Sequence, residues 1–284
     1  MNVALIYKKS AWELFSDSDD NNVSSFILED GSQRDLLLES DLVQKHTIDL
    51  VERTLLGDDI SYKKIYRSTI DEYDLNAFDL VITVGGDGTF LEASHHIKVN
   101  TPILGVNSDP NRSVGFFCAC NAENFEHFFN NLSRQPKLQL NRLSLFINKL
   151  PIGPPVLNDV LFASPNPAAT TRYQINNKSY RNSGLLISTG AGSTAWSFQE
   201  GIDPLPLETR EFQLLHRGTR NTEAIIISEV IIHSLTRTGK IFIDGDHCTL
   251  SLSIGQQLEI KSGTPITVLG DINKKRAEFL DAYD

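Results

Sequence analysis

Residues 80–89 read Leu-Val-Ile-Thr-Val-Gly-Gly-Asp-Gly-Thr. The apolar and β-branched start of this stretch predicts a buried strand over 80–84, and Thr89 opens a segment with helical character. A glycine turn between a strand and a helix lets backbone N–H groups approach and bind phosphate. The spacing matches neither the G-x-G-x-x-G fingerprint nor the G-x-x-x-x-G-K-[ST] motif, so the common dinucleotide and P-loop sites are excluded.

A carboxylate, Asp87, lies among the glycines of this turn, Gly85, Gly86 and Gly88. A negative charge repels phosphate, so a simple anion cradle does not account for it. We therefore predict that Asp87 accepts a proton or holds a metal ion beside bound phosphates. The alternative is a tight Asp-Gly turn with no chemistry.

The order of predicted elements indicates two domains. Strands alternate with helices over residues 1–135, which predicts an α/β domain with a mostly parallel sheet. Short predicted strands dominate residues 136–270, among them 156–163 and 266–269, and predict an all-β, sandwich-like domain. Residues 271–284 predict a short closing helix.

A second glycine-rich turn occurs in the all-β half. Residues 184–196 read Gly-Leu-Leu-Ile-Ser-Thr-Gly-Ala-Gly-Ser-Thr-Ala-Trp, a strand that again runs into small residues and a short helix. Backbone N–H groups and hydroxyls there can meet a phosphate or a ribose, and Trp196 offers a flat face for a base. A tight strand-to-helix corner, with Trp196 in the core, is the alternative.

Composition limits the classes of function. The chain has 284 residues, 40% of them hydrophobic and 22% charged, which is typical of a globular protein with a sizeable core. Its net charge of −10 argues against binding to nucleic acid or to an anionic membrane. Three cysteines without a C-x-x-C pair, and no secretory, transit or membrane segment, lead us to expect a cytoplasmic protein with reduced thiols.

The two turns together resemble those of the NAD kinase family. The resemblance covers roughly residues 80–270, and it is closest to the mitochondrial-type branch and its bacterial relatives. It rests on the following motifs, in order: Gly85-Gly86-Asp87-Gly88-Thr89, Leu104-Gly105-Val106-Asn107, Gly115-Phe116-Phe117, Leu157-Asn158-Asp159, Gly192-Ser193-Thr194-Ala195-Trp196, His233-Ser234-Leu235 and Asp244-Gly245.

The resemblance implies an α/β domain and an all-β domain with the site in the cleft, and a chain end that returns to the first domain. Asp87 matches the family's catalytic aspartate, which acts on the 2′-hydroxyl of the adenosine ribose of NAD. The other matches concern binding. Gly88 lies at the pocket and Phe116 or Phe117 near the adenine; the residues matched to NAD binding are Asn158, Asp159, Thr194, Ala195, Trp196 and His233.

The chain departs from the family pattern at three positions. Asp159 replaces the usual Glu and is one methylene shorter, Ser183 stands where most members have Asp, and Asp246 stands where Gln is common. Arg112 and Arg181 are candidate phosphate partners, with a plain surface charge as the alternative.

The implied reaction moves the γ-phosphoryl group of ATP to NAD, giving NADP. Glycine amides at 85–88 and Thr89 would hold the donor phosphates, and Mg²⁺ or another divalent cation would neutralise their charge. Apart from the alternative role given for Asp87 above, no protein metal ligands are predicted. The expected partners are NAD and ATP, with no nucleic acid and no membrane, and the resemblance implies a homodimer or homotetramer.

Two other functions remain open at this point. Diacylglycerol and sphingosine kinases share the Gly-Gly-Asp-Gly-Thr turn, although the Gly-Ser-Thr-Ala-Trp segment argues against a lipid kinase. The departures at Asp159 and Ser183 also allow a non-catalytic sensor of NAD or another nucleotide.

Overall fold

The computed structural model describes residues 1–16, 31–57, 60–98, 101–220 and 223–282. The chain divides into two compact units. Unit 1 comprises Met1–Leu138 with Thr267–Asp284, and unit 2 comprises Gln139–Ile266.

Unit 1 is built on one sheet. Its strands are β1 (Asn2–Tyr7), β2 (Ser61–Tyr66), β3 (Leu80–Gly85), β4 (Ile103–Asn107), β5 (Cys118–Asn121), β6 (Lys137–Leu140) and β19 (Ile266–Leu269). β1 pairs in parallel with β2 and β3, and β4 pairs in parallel with β3, β5 and β19. The strand order is β2-β1-β3-β4-β19-β6, with β5 also on β4.

Helices alternate with these strands, as the sequence predicted. They are α1 (Ala11–Ser16), α2 (Gly31–Gly57), α3 (Asp87–His95), α4 (Phe125–Asn130) and, near the chain end, α6 (Ile272–Asp281). Val51 and Leu55 of α2 pack with Leu5 and Ile82 of the central strands in one apolar core. In the described part of the chain, no helix combines the length and apolar character needed to cross a bilayer.

Unit 2 consists of two antiparallel sheets. Their strands are β7 (Leu143–Ile147), β8 (Leu150–Val156), β9 (Asp159–Ala163), β10 (Thr171–Ile175), β11 (Lys178–Asn182), β12 (Gly184–Ser188), β13 (Phe212–Arg217), β14 (Ile225–Ile227), β15 (Glu229–Ser234), β16 (Thr238–Ile243), β17 (Cys248–Ser253) and β18 (Gln257–Ser262). The first sheet has the order β11-β10-β15-β18-β7-β8 and the second has the order β14-β13-β12-β9-β16-β17. The core contains buried side chains from both sheets, for example Leu145 and Ile260 from the first and Phe162 and Ile187 from the second.

Two strand predictions differ from the structure. Residues 266–269 were grouped with the all-β half, but β19 joins the parallel sheet, where Val268 lies opposite Ile103. The predicted strand over 156–163 is two strands, β8 and β9, separated at residues 157–158. The predicted fold class, an α/β domain followed by an all-β sandwich-like domain, is confirmed.

Candidate functional site

The glycine turn of unit 1 joins β3 to α3. The helix begins at Asp87, two residues earlier than predicted, with Gly86 as its N-cap. A Cβ atom on Gly85 would lie 2.4 Å from Oγ1 of Thr89, and one on Gly86 would lie 2.5 Å from Oγ of Ser113. Both positions therefore need glycine because side chains already fill the space around the turn.

The carboxylate of Asp87 is oriented by two backbone donors. Its Oδ2 accepts a hydrogen bond from the N–H of Phe116 at 2.9 Å, and its Oδ1 accepts one from the N–H of Phe117 at 2.8 Å. Burial raises the pKa of Asp87 above its ordinary value, although these two hydrogen bonds and the charge of Lys275 act in the opposite direction. A fixed carboxylate with a raised pKa is suited to accept a proton.

Lys275 of α6 holds the segment that carries these donors. Its ammonium group donates hydrogen bonds to the carbonyl oxygens of Gly115 and, at 3.0 Å, of Cys118. The sequence did not single out Lys275; the only signal was a run of basic residues in the closing helix. The hydroxyl oxygen of Thr89 is buried beside the turn and has no hydrogen-bond partner among the described residues.

The aromatic residues next to Asp87 are packed against each other. Phe117 stacks on Phe90 with ring centroids 5.0 Å apart, and Phe116 meets Phe117 edge-on at 5.2 Å. Only 9% of Phe116 is exposed. Phe116 therefore contributes its backbone N–H to Asp87, and a contact between its ring and adenine stays a prediction.

In unit 2, Asp244 organises the turn between β8 and β9. Its carboxylate accepts hydrogen bonds from the N–H groups of Leu157 at 3.0 Å, Asn158 at 2.7 Å and Asp159 at 3.0 Å. Asp244 is 3% exposed and has a left-handed φ of 50°. Sequence reasoning noted the Asp244-Gly245 pair as part of the resemblance but gave Asp244 no role.

One polar atom in this turn and one in the neighbouring strand β12 are buried without hydrogen-bond partners among the described residues. Oδ1 of Asn158 and Oγ of Ser188 are buried and accept or donate no hydrogen bond among the described residues. Asp159, opposite Ser188 in the β9–β12 ladder, is 5% exposed. Burial, followed by the neighbouring charge of Asp244, raises the pKa of Asp159 from 3.8 to about 7. The unpartnered oxygens of Asn158 and Ser188 are suited to hydrogen bonds with hydroxyl and amide groups of a ligand.

The second glycine-rich turn packs directly against this one. A Cβ atom on Gly192 would lie 2.0 Å from the carbonyl oxygen of Asn158. Thr189 donates from its N–H to the carbonyl of Asn158 at 2.9 Å and from its hydroxyl to the carbonyl of Leu157 at 2.5 Å. The buried Thr194 donates to the carbonyl of Ala191 at 3.2 Å. The structure thus brings Asn158, Asp159 and the turn leading to Thr194 together.

Ala195 and Trp196 follow at the start of α5 (Trp196–Gln199). Trp196 packs against a small apolar cluster that includes Leu161, and the guanidinium of Arg217 lies 4.3 Å from its ring centroid. Arg217 also donates to Glu200 at 2.7 Å. The surroundings of the Trp196 ring are thus those of the core-packing alternative. A contact between this ring and a base stays a prediction.

His233 lies apart from these turns. On an apolar strand it would by default be a core histidine, but it is exposed on β15, in the other sheet of the sandwich, where Ile232 points into the core instead. Because β15 alternates between the core and solvent faces, the core-histidine alternative does not hold, and contact of His233 with NAD stays a prediction.

Three further candidates are exposed. Arg181 donates to Thr170 at 3.2 Å, and the N–H of Ser183 donates to the carbonyl of Arg217 at 3.0 Å. Arg112 forms ion pairs with Asp109, at 3.1 Å, and with Glu39. Carboxylates thus already engage Arg112, which weakens its case as a phosphate partner.

Within the described part of the chain, no group of three or more His, Cys, Asp or Glu residues is placed so as to hold a metal ion. Mg²⁺ commonly binds through one or two carboxylates together with substrate phosphates and water. Asp87, with lone pairs remaining on both oxygens, fits that mode, in which the phosphates supply most of the ligands.

Comparisons with known proteins agree with the resemblance. The sequence model for the ATP-NAD kinase N-terminal domain matches residues 20–135. A probable NADH kinase of Oryza sativa subsp. japonica is 32% identical over 262 residues, covering 79% of this chain and 80% of that protein. The NADH kinase of Arabidopsis thaliana is 33% identical, covering 79% and 82%. The chain belongs to the NAD kinase family.

Solved structures show the same fold. An NAD kinase from Archaeoglobus fulgidus, crystallised in complex with ATP, matches with a TM-score of 0.68 at 18% identity, covering 98% of this chain and 97% of that one. The yeast NADH kinase complexed with NADH matches with a TM-score of 0.63 at 18% identity, covering 75% and 67%. Both comparisons confirm the predicted architecture.

Proposed function

We propose that this protein is an NAD kinase that transfers the γ-phosphoryl group of ATP to the 2′-hydroxyl of the adenosine ribose of NAD. Membership of the family supports the reaction class. The observation that carries the proposal is the carboxylate of Asp87, which lies in the glycine turn and is oriented by the N–H groups of Phe116 and Phe117.

Phosphoryl transfer depends mainly on alignment and charge neutralisation. The 2′-oxygen of NAD attacks the γ-phosphorus, the bond from that phosphorus to the β–γ bridging oxygen breaks, and ADP leaves. Asp87 accepts the proton of the attacking hydroxyl. The amides of Gly85, Gly86 and Gly88 and the hydroxyl of Thr89 bind the donor phosphates. A divalent cation, held by those phosphates, would supply charge neutralisation.

Unit 2 is proposed to bind NAD. Asn158 and Ser188 each supply a buried oxygen that has no hydrogen-bond partner among the described residues, and the carboxylate of Asp159 lies beside them. Ribose hydroxyls and the carboxamide of nicotinamide can satisfy such acceptors. Thr194, Ala195, Trp196 and His233 complete the proposed set from the resemblance, together with Arg181 and Ser183, which lie elsewhere on the unit.

The redox form of the acceptor needs its own test. Two relatives that cover most of the chain are named NADH kinases, and others are named NAD kinases. The 2′-hydroxyl is the same in NAD and NADH, so a preference between them must come from the nicotinamide end. We propose that the enzyme accepts both forms.

The deciding experiment is a product assay with NAD and NADH as acceptors, ATP and polyphosphate as donors, and Mg²⁺ present or chelated. Mg²⁺-dependent formation of NADP or NADPH from ATP supports the proposal. Phosphorylation of diacylglycerol or sphingosine instead would identify a lipid kinase. Calorimetric binding of NAD with no phosphorylated product would identify a sensor.

The proposal extends to assembly and location. A homodimer or homotetramer is expected from the resemblance, and a cytoplasmic location is expected from the cysteine pattern and the sequence features described above. Light scattering on the purified protein measures the first, and a monomer at micromolar concentration would contradict it. Imaging of the tagged full-length protein measures the second.

A further inference from the structure

A cavity of about 680 Å³ in unit 2 is lined by three arginines. Arg172 comes from β10, Arg181 from β11, and Arg237 from the turn between β15 and β16. Its volume is that of a pocket for a small molecule. Arg172 and Arg237 have no place in the proposed kinase reaction, whereas Arg181 also belongs to the set of residues proposed to bind NAD.

The charge of this cavity contrasts with the rest of the chain. No Asp or Glu lines it, although the chain carries a net charge of −10. Among the ion pairs of the described residues, none involves Arg172, Arg181 or Arg237. Three exposed arginines thus line one space that has no carboxylate among its lining residues, which favours an anionic ligand.

Hydrogen bonds hold the walls of the cavity in place. The hydroxyl of Thr236 accepts from the N–H of Arg172 at 2.8 Å and donates to its carbonyl at 2.9 Å, and the N–H of Leu235 donates to the same carbonyl at 2.9 Å. Arg181 donates from Nε to the hydroxyl of Thr170 at 3.2 Å. These bonds fix the backbone at Arg172 and next to Arg237 before any ligand binds. They also hold the guanidinium group of Arg181 in place.

The cavity is separate from the turn that carries Asn158 and Asp159. Ser164, which lines the cavity, follows the last residue of β9, whereas Asp159 is the first residue of that strand. Five residues at about 3.3 Å per residue place them roughly 16 Å apart. A ligand in the cavity therefore occupies a different part of unit 2 from the turn proposed to bind NAD.

We propose that this cavity is a second anion site, which binds a ligand carrying two or more phosphoryl groups. Guanidinium groups bind phosphate oxygens in bidentate fashion. The positive charges of three guanidinium groups exceed the negative charge of one phosphate dianion. The hydroxyls of Ser164 and Thr238 line the same space and can donate to phosphate oxygens. The ligand is either an inorganic polyphosphate or the phosphate chain of a nucleotide.

Calorimetric titration of the full-length protein with inorganic tripolyphosphate tests this site. Tripolyphosphate is also a candidate ligand of the proposed donor site, so the double variant Arg172→Gln/Arg237→Gln is compared with wild type. The matched control is Arg210→Gln, which removes an exposed positive charge from unit 2 outside the cavity. Melting temperatures of all variants verify folding. Repeating the titration with ADP present distinguishes a nucleotide ligand, which competes, from an inorganic one.

Wild type and Arg210→Gln are expected to bind one more tripolyphosphate per chain than the double variant. Each of the single variants, Arg172→Gln and Arg237→Gln, should lower the affinity for this additional tripolyphosphate about 10-fold or more. The affinity should also fall as the salt concentration rises. Equal stoichiometry and affinity in wild type and the double variant would overturn the proposal. The readout is binding alone, so a chain without kinase activity can still pass the test.

Discussion

Asp244 and Asp159 are joined by reciprocal hydrogen bonds. The carboxylate of Asp244 accepts from the N–H of Asp159 at 3.0 Å, and the N–H of Asp244 donates to the carbonyl of Asp159 at 2.9 Å. Because the two residues are 85 positions apart in the sequence, this is a tertiary contact. It fixes the backbone of the turn proposed to bind NAD while placing two carboxylates close together.

Replacing Asp244 by Asn should impair NAD binding more than the chemical step. The amide keeps one acceptor oxygen but places an NH₂ group among three N–H donors, so at least one hydrogen bond to a charged group is lost. We expect a rise of about 10-fold in the KM for NAD, a much smaller change in kcat, and a loss of about 1–3 kcal/mol in stability. Steady-state kinetics and urea unfolding measure these effects.

Asp246→Asn is the matched control for that variant, because Asp246 is exposed two residues away. It should behave as wild type. A kcat that falls while the KM stays constant in Asp244→Asn would contradict a positioning role.

Asp159 should make the fold less stable as the pH rises. Its pKa is raised from 3.8 to about 7, so between these pH values the folded state binds a proton that the unfolded state has released. The contribution of Asp159 to stability is therefore fully present below pH 4 and is lost as the pH approaches and passes 7. The rise in pKa corresponds to about 4 kcal/mol.

Asp159→Asn removes this titration. The stability of the variant relative to wild type should increase by a few kcal/mol between pH 4 and pH 8, as measured by urea unfolding at each pH. A constant difference across that range would show that Asp159 keeps an ordinary pKa.

Gly192→Ala should disrupt the contact between the second glycine-rich turn and the turn between β8 and β9. The added Cβ would lie 2.0 Å from the carbonyl oxygen of Asn158, and backbone atoms cannot yield as a flexible side chain can. We expect a loss of about 2 kcal/mol or more in stability together with weaker NAD binding.

Gly57→Ala is the comparison for Gly192→Ala, since a Cβ on Gly57 meets nothing within 4 Å. Its stability should differ from wild type by less than about 1 kcal/mol. Equal stability of the two alanine variants would refute the predicted clash.

The local features of the fold were predictable because they depend on neighbouring residues. The apolar run before Gly85 forms β3, and Asn176-Asn177 forms a hairpin turn with φ values of 48° and 63°. A period of two or of 3.6 residues and the turn chemistry are properties of short segments. The glycine turn and its carboxylate were recognisable for the same reason.

Long-range pairing was not predictable. Nothing in the residues of β19 distinguishes a strand for the parallel sheet from one for the sandwich, because its partner, β4, lies more than 150 residues earlier. The break between β8 and β9 depends in the same way on Asp244. Lys275 reaches Gly115 across 160 residues, which no local pattern reveals.

The central claim is that Asp87 accepts the proton of the attacking 2′-hydroxyl. Asp87→Asn preserves the size of the side chain but removes the base, and Glu92→Gln, on the same helix, is the matched control. We predict that Asp87→Asn lowers kcat about 100-fold or more while calorimetry shows NAD binding with near-wild-type affinity, and that Glu92→Gln stays close to wild type. An Asp87→Asn enzyme that retains most of its kcat would contradict the account.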